Sequence, residues 1–393
     1  MKASPKSCDI FCRIIDNYGD IGICWRLARQ LAHEHGLAVR LWIDHLATAK
    51  HLIPQIQIEK LKQTVEGIAI HHWREHFEPL ELVNLELPDI IIEAFACELP
   101  DCYLQAMTQS QPIWLNLEYL SAESWVDGFH SLSSKHPTLG LSKTFFFPGF
   151  TNQTGGLIRE KRLIEKRIAF QQSNDAQQAF WQSLNVLIPA AALNDALKVS
   201  LFCYPQAHVI DLLQSFINAA QPVICLVPGN TLIPLIRQHF AADISGQMNL
   251  GKLSLGNLSL QPLPFLSQDQ YDHLLWACDL NFVRGEDSWI RAIWAAKPMI
   301  WQAYQQAEQA HLVKLNAFLD LYTQELPDES KQLVKRFSQA WSSNHLNAGD
   351  WQQMIDHMPE ITAHSKKFSS QLAKQTDLAA RLVSFCKNQT YPV

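Results

Sequence analysis

Short apolar runs alternate with amphipathic segments along most of the chain, and the runs end in polar or glycine-containing turns. In the stretch Asn281–Gln302, an apolar run ends at Val283 and a polar turn follows. Apolar side chains then recur at helical spacing until Pro298. This order predicts strand, turn, helix and strand. Its repetition along the chain predicts parallel sheets with crossover helices, which is an α/β fold.

The turn inside this stretch, Arg284-Gly285-Glu286-Asp287-Ser288, is the first candidate site. Ligands of open parallel sheets bind outside the carboxyl ends of the strands, where this turn is expected. Arg284 offers a planar fork suited to phosphate, Gly285 lets the backbone approach closely, and Asp287 or Ser288 can cap a helix whose first amides attract anions. The alternative is an ordinary capped helix start with a surface arginine, which is the commoner case for such a turn in isolation.

A second turn, Asp16-Asn17-Tyr18-Gly19-Asp20, follows the apolar run Cys8–Ile15. The spacing becomes helical from Ile21, so Asp20 stands where a helix N-cap is expected. Two carboxylates around a glycine repel phosphate. This loop is therefore predicted to hold a base or to grip a cation.

The chain has 393 residues, enough for two domains with separate cores. Glutamine, serine and asparagine become frequent near residues 170 to 196, where we place the boundary. The predicted division is an N-terminal domain over residues 1–180, a second domain over 181–365, and a helix over 366–393 that can pack back on the first domain. In the second half, turns after strands carry Phe202, Tyr204, Phe265 and Gln268. Aromatic side chains there can stack on a base or simply pack in the core.

Composition narrows the possible functions. Apolar residues make up 47% and charged residues 18%, as in soluble globular proteins, and the net charge of −6 favours neither nucleic acid nor an anionic membrane. The chain start is not a signal peptide and no apolar run is long enough to cross a bilayer, so we expect a cytoplasmic protein. Nine cysteines without a Cys-x-x-Cys pair indicate reduced thiols. No histidine or cysteine spacing predicts a metal site.

The two-domain α/β pattern suggests the arrangement of many nucleotide-sugar transferases. Neither half contains a Gly-x-Gly-x-x-Gly motif, which disfavours a dinucleotide oxidoreductase.

Two stretches together resemble one family. Asp16-Asn17-Tyr18-Gly19-Asp20-Ile21-Gly22-Ile23-Cys24-Trp25-Arg26-Leu27-Ala28-Arg29-Gln30-Leu31 resembles the start of the EarP family, the protein-arginine rhamnosyltransferases that modify bacterial translation elongation factor P (EF-P). Arg284-Gly285-Glu286-Asp287-Ser288, followed by Trp294-Ala295 and Lys297-Pro298, resembles the nucleotide-sugar motif of that family. The resemblance runs from about residue 8 to the last helix.

The resemblance implies a GT-B glycosyltransferase fold, with two Rossmann-like domains facing a cleft and a helical C-terminal tail. It implies an N-terminal acceptor domain, a C-terminal donor domain, and an inverting transfer that needs no metal or other cofactor. The implied donor is dTDP-β-L-rhamnose, and the implied acceptor is one arginine side chain of EF-P.

The same resemblance assigns roles to residues. It places Asn17, Tyr18, Gly19 and Asp20 against the sugar, with Asp20 as the base. The residues implied to hold the nucleotide are Tyr204, Leu266, Ser267, Gln268, Arg284, Gly285, Glu286, Asp287 and Ser288, and Glu286 is also implicated in catalysis. Phe202 and Phe265 are our candidates for contacts with thymine.

A guanidinium is protonated below about pH 12 and is almost non-nucleophilic, so the site must do more than deprotonate it in advance. We expect Asp16 or Asp20 to grip the guanidinium and to take its proton as the C–N bond forms. Arg284 and helix-start amides would stabilise the departing dTDP. Glu286 would be repelled by a diphosphate. It is better suited to binding a ribose or sugar hydroxyl, or to orienting Arg284, than to acting as the primary base.

Two other functions fit parts of the pattern. One is a noncatalytic module that binds a nucleotide or an arginine-bearing protein loop. The other is a GT-B transferase with a lipid or glycan acceptor, which a basic amphipathic surface would favour. The paired carboxylates Asp16 and Asp20 argue against the first, and the glutamates within the one basic helical segment argue against the second.

Overall fold

The structure is a computed structural model that describes residues 4–16, 18–74, 85–186, 195–205, 207–229, 232–240, 253–305, 309–343, 346 and 348–389. The chain forms two compact units. Unit 1 comprises Met1–Lys161 with Gln375–Val393, and unit 2 comprises Arg162–Lys374. No described helix is long and apolar enough to cross a membrane.

Unit 1 is built on an eight-stranded sheet with the order β3-β4-β2-β1-β5-β6-β8-β7. Its strands are β1 (Ser7–Cys12), β2 (Ala38–Ile43), β3 (Lys62–Val65), β4 (Ile68–His72), β5 (Ile90–Ala94), β6 (Ile113–Leu117), β7 (Ser133–Lys135) and β8 (Ser142–Phe146). The two edge strands β3 and β7 pair antiparallel, and the six strands between them are parallel. Numbered along the chain, the parallel strands lie in the order 3-2-1-4-5-6, which is the Rossmann order.

Unit 2 contains a six-stranded sheet with the order β11-β12-β10-β9-β13-β14. Its strands are β9 (Leu197–Leu201), β10 (Val223–Pro228), β11 (Leu253–Leu255), β12 (Leu258–Leu263), β13 (Leu280–Arg284) and β14 (Met299–Gln302). β11 is an antiparallel edge strand, and the others are parallel in the order 3-2-1-4-5. The parallel strands of each unit therefore follow the order of a doubly wound, Rossmann-like sheet.

Helices connect the parallel strands, and further helices follow β14 as far as Asn388. They are α1 (Gly19–His33), α2 (Leu46–Leu52), α3 (Asp101–Ser110), α4 (Trp125–Phe129), α5 (Leu163–Gln172), α6 (Asn174–Ser183), α7 (Val209–Ile217), α8 (Ile233–His239), α9 (Gln268–Ala277), α10 (Asp287–Ala295), α11 (Ala310–Tyr322), α12 (Asp328–Ser343), α13 (Ala348–Asp356), α14 (Met358–Leu372) and α15 (Leu378–Asn388). The described helical C-terminal region fits the predicted fold class.

The last helix, α15, lies in unit 1 and packs against α1. Gln30 on α1 donates one hydrogen bond to Asp377 (3.0 Å), which caps α15, and another to the carbonyl of Arg159 (2.8 Å). The rings of Phe146 and Phe385 meet at 5.7 Å. The chain end therefore contributes to the core beside α1, the helix that begins at the Asp16–Asp20 turn.

In unit 2, α10 is fixed by a buried ion pair and by aromatic packing. Arg291 forms a two-pronged pair with Asp272 on α9, with distances of 2.8 Å and 2.6 Å. Trp289 stacks on Trp301 of β14 at 3.7 Å between ring centroids. Moving α10 away from α9 would separate this ion pair and leave a buried charge without its partner, which is strongly destabilising. The ion pair therefore fixes the position of α10, the helix that follows the turn after β13.

Candidate active site

The site in unit 2 lies at the reversal point of its sheet. The first strand, β9, and the fourth, β13, are neighbours, and the connections that follow them go in opposite directions. A crevice outside the carboxyl ends of two such strands is the usual ligand site of this fold. Phe202 and Tyr204 follow β9, and Arg284 ends β13. The structure therefore brings together three residues that the sequence predicted as substrate contacts.

Arg284 is held in a fixed orientation. Its guanidinium lies over the ring of Phe202 at 4.3 Å and over the ring of Tyr204 at 4.8 Å. Its Nη1 donates a hydrogen bond to the carbonyl of Cys203 (3.1 Å). Two aromatic contacts and a backbone acceptor orient the guanidinium before any ligand binds, and the partly exposed side chain can still meet an anion.

The turn after β13 is shaped by a glycine and a serine. Gly285 has a φ of +62°, and its carbonyl accepts a hydrogen bond from the indole of Trp301 (2.8 Å). The hydroxyl of Ser288 accepts from the amide of Arg284 (3.1 Å) and donates to the carbonyl of Arg284. The N-cap of α10 is Glu286, a buried residue, and no side chain caps this helix end.

The prediction that Asp287 or Ser288 caps α10 was therefore wrong. Asp287 and Ser288 are the first two residues of α10 and therefore lie after its N-cap position, and Ser288 instead ties α10 to the end of β13. The side-chain Nε2 of Gln268 lies 3.5 Å from Oδ2 of Asp287, at the limit of a hydrogen bond that the glutamine would donate.

The β12–α9 connection lies at the same edge of the sheet. Ser267 is the N-cap of α9 and forms a capping box with Gln270, while Leu266 and Gln268 are buried. Phe265 is 40% exposed. The local geometry thus gives Ser267 and Leu266 clear structural roles, whereas Phe265 is partly exposed at this edge of the sheet.

Gln302 was missed by the sequence reasoning. Gln302 is the last residue of β14 and is buried. Its side-chain oxygen accepts a hydrogen bond from the backbone N–H of Tyr204 (2.9 Å). Gln302 therefore fixes the segment that carries Tyr204. A pattern of apolar and polar positions gives no signal for a contact between residues 98 positions apart.

The corresponding reversal point in unit 1 lies between β1 and β5, and Asp20 follows β1. The side chain of Asp20 is only 2% exposed. Its Oδ2 accepts hydrogen bonds from the backbone N–H groups of Ile15 (2.8 Å) and Asp16 (2.9 Å). Its Oδ1 accepts a hydrogen bond from the hydroxyl of Tyr119 (3.1 Å). The carboxylate is therefore held within the loop that follows β1.

The expected N-cap role of Asp20 was wrong, because α1 begins at Gly19 and its N-cap is Tyr18. The strand predicted to reach Ile15 ends at Cys12. Beyond it, the backbone N–H of Ile14 donates a hydrogen bond to the side chain of Asp44 (3.0 Å) and not to a neighbouring strand. Asp20 uses its carboxylate to organise the loop, in a way that helix-cap statistics do not anticipate.

Asp16 and Gly19 are packed closely in this loop. A Cβ added at Gly19 would lie 2.9 Å from Oδ2 of Asp16, so a larger residue at that position would displace the carboxylate. Tyr18 is half-buried and meets the ring of His51 edge-on at 5.9 Å. Asn17 lies outside the described residues. Asp16, Gly19 and Asp20 thus lie close together in unit 1.

Among the residues that the structure describes, no group of three His, Cys, Asp or Glu side chains is arranged to hold a metal ion.

Comparison with known proteins identifies the family of this chain. A family model described as "Elongation-Factor P (EF-P) rhamnosyltransferase EarP" matches residues 8–387. The chain belongs to the EarP family. Two proteins named protein-arginine rhamnosyltransferase are similar to it throughout. The one from Pseudomonas putida is 44% identical, with 97% of this chain and 98% of that protein covered, and the one from Pseudomonas aeruginosa is 42% identical, covering 96% and 98%.

One solved structure agrees with this assignment to the EarP family, and a second shares only the fold. One described as "Structural basis for EarP-mediated arginine glycosylation of translation elongation factor EF-P" is 34% identical, with a TM-score of 0.68 over 98% of this chain and 99% of that one. A spinosyn rhamnosyltransferase complexed with thymidine diphosphate is 13% identical, with a TM-score of 0.50 over 97% and 99%, and supports the fold alone. The predicted GT-B fold with two Rossmann-like units is thereby confirmed.

Proposed function

We propose that this protein transfers L-rhamnose from dTDP-β-L-rhamnose to an arginine side chain of EF-P, with inversion at the anomeric carbon and without a metal ion. The observation that carries the proposal is the match to protein-arginine rhamnosyltransferases over nearly the whole chain. Since EF-P is a translation factor, the reaction takes place in the cytoplasm.

The donor half of the proposal rests on unit 2. A nucleoside diphosphate carries negative charge, and Arg284 presents an oriented cation at the reversal point of the sheet. The first amides of α10 supply further hydrogen-bond donors beside it. Both interactions grow stronger as the diphosphate leaves, because negative charge accumulates on it when the glycosidic bond breaks.

The acceptor half rests on Asp20. In the proposed step, one guanidinium nitrogen of the acceptor attacks the anomeric carbon, the bond from that carbon to the dTDP oxygen breaks, and dTDP leaves with its bonding electron pair. The nitrogen loses a proton to Asp20 as the C–N bond forms. Attack opposite the leaving group inverts the configuration. Asp16, next to Asp20 in the loop, can bind the cationic guanidinium before attack.

Glu286 is assigned a supporting role. Glu286 is buried at the start of α10, two residues after Arg284. This position suits a carboxylate that orients Arg284 or accepts a hydrogen bond from a hydroxyl of the donor. A carboxylate beside a diphosphate is repelled by it, so Glu286 is not proposed as the base.

The proposal is tested by the release of dTDP and by the configuration of the product. On mixing with dTDP-β-L-rhamnose, dTDP should appear only when EF-P is present, at the same rate with and without a chelator. The NMR spectrum of the product should show an α-linked rhamnosyl arginine. A noncatalytic module would bind the nucleotide without release, and a transferase for another acceptor would release dTDP no faster with EF-P. Either result would refute the proposal.

A further inference from the structure

The backbone after β5 adopts an uncommon conformation. Phe95, Ala96 and Glu98 have φ values of +57°, +52° and +57°, although none of them is a glycine. Such residues occupy the left-handed region at a cost in energy, and surrounding contacts must hold them there. This turn, residues 95–98, lies at the reversal point of the unit 1 sheet, where β5 is the neighbour of β1, the strand that leads to Asp20 at the start of α1.

Buried side chains hold the turn. The side-chain oxygen of Asn116 accepts the amide of Ala96 (3.1 Å), and the carboxylate of Glu93 accepts the amide of Glu98 (3.0 Å). Asn116 and Glu93 are both buried. The neighbouring strand thus supplies one hydrogen bond and β5 itself supplies the other, so the turn is rigidly supported from two strands.

The turn places the ring of Phe95 flat against the ring of Tyr119. The two centroids are 4.3 Å apart, with 14° between the planes. Tyr119 follows β6, and its hydroxyl donates to Oδ1 of Asp20 (3.1 Å). Stacking on a buried ring restricts the tyrosine, and the restricted tyrosine in turn restricts the carboxylate oxygen.

We propose that Tyr119, held by the Phe95 ring, is a positioning residue that orients the carboxylate of Asp20 for proton acceptance. This inference rests on the proposed function. Oδ2 is occupied by two backbone amides, whereas Oδ1 accepts the Tyr119 hydroxyl through one of its two lone pairs. The other lone pair of Oδ1 then points in a defined direction, and it receives the acceptor proton.

Titratable and charged groups on the neighbouring elements are the same in the wild type and in a Tyr119 variant. Cys12 on β1 interacts electrostatically with Asp20, with Cys24 on α1 and with Asp44 after β2. Arg13 and Asp16 follow β1, Glu93 lies on β5, and Glu118 follows β6. A difference between the pH profiles of the wild type and a Tyr119 variant therefore reports the loss of the hydroxyl.

The test is Tyr119→Phe, which keeps the stacked ring and removes only the hydroxyl. The hydroxyl donates to the anionic carboxylate, so its loss should move the acidic limb of kcat to higher pH. Loss of orientation should lower the plateau of kcat about tenfold. The KM for dTDP-rhamnose should stay within about twofold, since Tyr119 is assigned no contact with the donor.

The matched control is Tyr322→Phe, which removes another buried hydroxyl, one bonded to Ser365 (2.7 Å). Tyr322 lies on α11 in unit 2 and has no role in the proposed reaction. Its variant should lose thermal stability as a buried hydroxyl is lost, and should keep the wild-type pH profile.

An acidic limb of Tyr119→Phe that coincides with that of the wild type would overturn the inference, as would a normal plateau of kcat. If the wild type itself shows no transfer to EF-P, the proposed function fails instead. The two failures are therefore distinguishable in one set of measurements.

Discussion

At Asp20, two amides and a tyrosine hydroxyl surround the carboxylate, so Asp20→Asn has a predictable geometry. The asparagine oxygen can accept the hydrogen bonds from the two backbone amides. Its NH2 group, which cannot accept a proton, then occupies the position of the Asp20 oxygen that is proposed to take the proton. Turnover should fall by about 10²–10⁴-fold, as for loss of a general base, while dTDP-rhamnose affinity stays within about twofold. Single-turnover kinetics and calorimetric titration measure the two quantities.

Asp101→Asn is the matched control for Asp20→Asn. Asp101 is an exposed carboxylate in the first turn of α3, and its replacement should change neither turnover nor affinity. Substantial turnover in Asp20→Asn would refute the assignment of the base.

Arg284→Lys keeps the positive charge but removes the planar guanidinium group with its several N–H donors. A lysine cannot stack its head group on Phe202 and Tyr204 in the same way. We expect the affinity for dTDP to fall about 10–100-fold, measured by titration calorimetry. Arg237→Lys, at an exposed position on α8, should leave the affinity unchanged. Equal affinities for the Arg284 variant and the wild type would remove Arg284 from the donor site.

Some of these residues are predictable from sequence and others are not. Arg284 and Gly285 are recognisable because an apolar run, a polar turn and a helical period follow one another directly. Tyr119 and Gln302 reach their partners, Asp20 and Tyr204, across 99 and 98 positions. Contacts of this kind depend on the pairing of strands far apart in the chain, and local patterns contain no information about them.

At the scale of elements, the turn between β13 and α10 depends on Gly285. Its φ of +62° is unfavourable for alanine, so Gly285→Ala should lower the free energy of unfolding by roughly 1–2 kcal/mol and also weaken dTDP binding. Urea unfolding and calorimetric titration are the measurements.

Gly36→Ala is the control for strain alone. Gly36 has a φ of +70°, no atom lies within 4 Å of its added Cβ, and it lies in the turn before β2. It should cost similar stability without any effect on dTDP binding. If both variants bound dTDP like the wild type, the Gly285 turn would not belong to the donor site.

The predicted strand, turn, helix and strand of Asn281–Gln302 are confirmed as β13, α10 and β14. The edge strands β3 and β7 were not predicted, because they are short and largely polar and lie where burial does not enforce a pattern. The units change at Arg162, whereas composition suggested residues 170 to 196. Helix α5 lies in between, and it packs on α9 and α10 of unit 2.

At the scale of the whole molecule, stability should depend on buried histidine. Burial lowers the pKa of His71 to about 4, and Lys62 and Arg40 act in the same direction. Above the unfolded pKa of about 6.5 the imidazole is neutral in both states and has no effect on stability. As the pH falls from about 6.5 to about 4, the unfolded chain takes up the proton first, so stability falls.

His71→Phe keeps a ring against Trp42 and removes this titration. It should reduce the loss of unfolding free energy between pH 6.5 and 4 by on the order of 2 kcal/mol. Part of the loss should remain, because burial also lowers the pKa of His130 to about 4. Urea unfolding at several pH values measures the slope. An exposed control, His239→Gln, should leave it unchanged, and an unchanged slope in His71→Phe would contradict the prediction.

The α/β class follows from the alternation of apolar runs and helical segments, but the Rossmann strand order of each unit does not. That order is set by which strands pair, and the first strand of each sheet lies in the middle between later ones. The two-domain α/β pattern suggests the arrangement of nucleotide-sugar transferases, but the GT-B fold itself is implied by the resemblance of the two turns to a family. Periodicity alone does not distinguish it from other two-domain α/β folds.

The most direct test of the account is the intact mass of EF-P after incubation with this protein and dTDP-β-L-rhamnose. EF-P should gain one deoxyhexose with the wild-type enzyme and none with Asp20→Asn, and EF-P with its acceptor arginine changed to lysine should gain none. An unmodified EF-P mass with the wild type, or a gain that does not need the arginine, would contradict it.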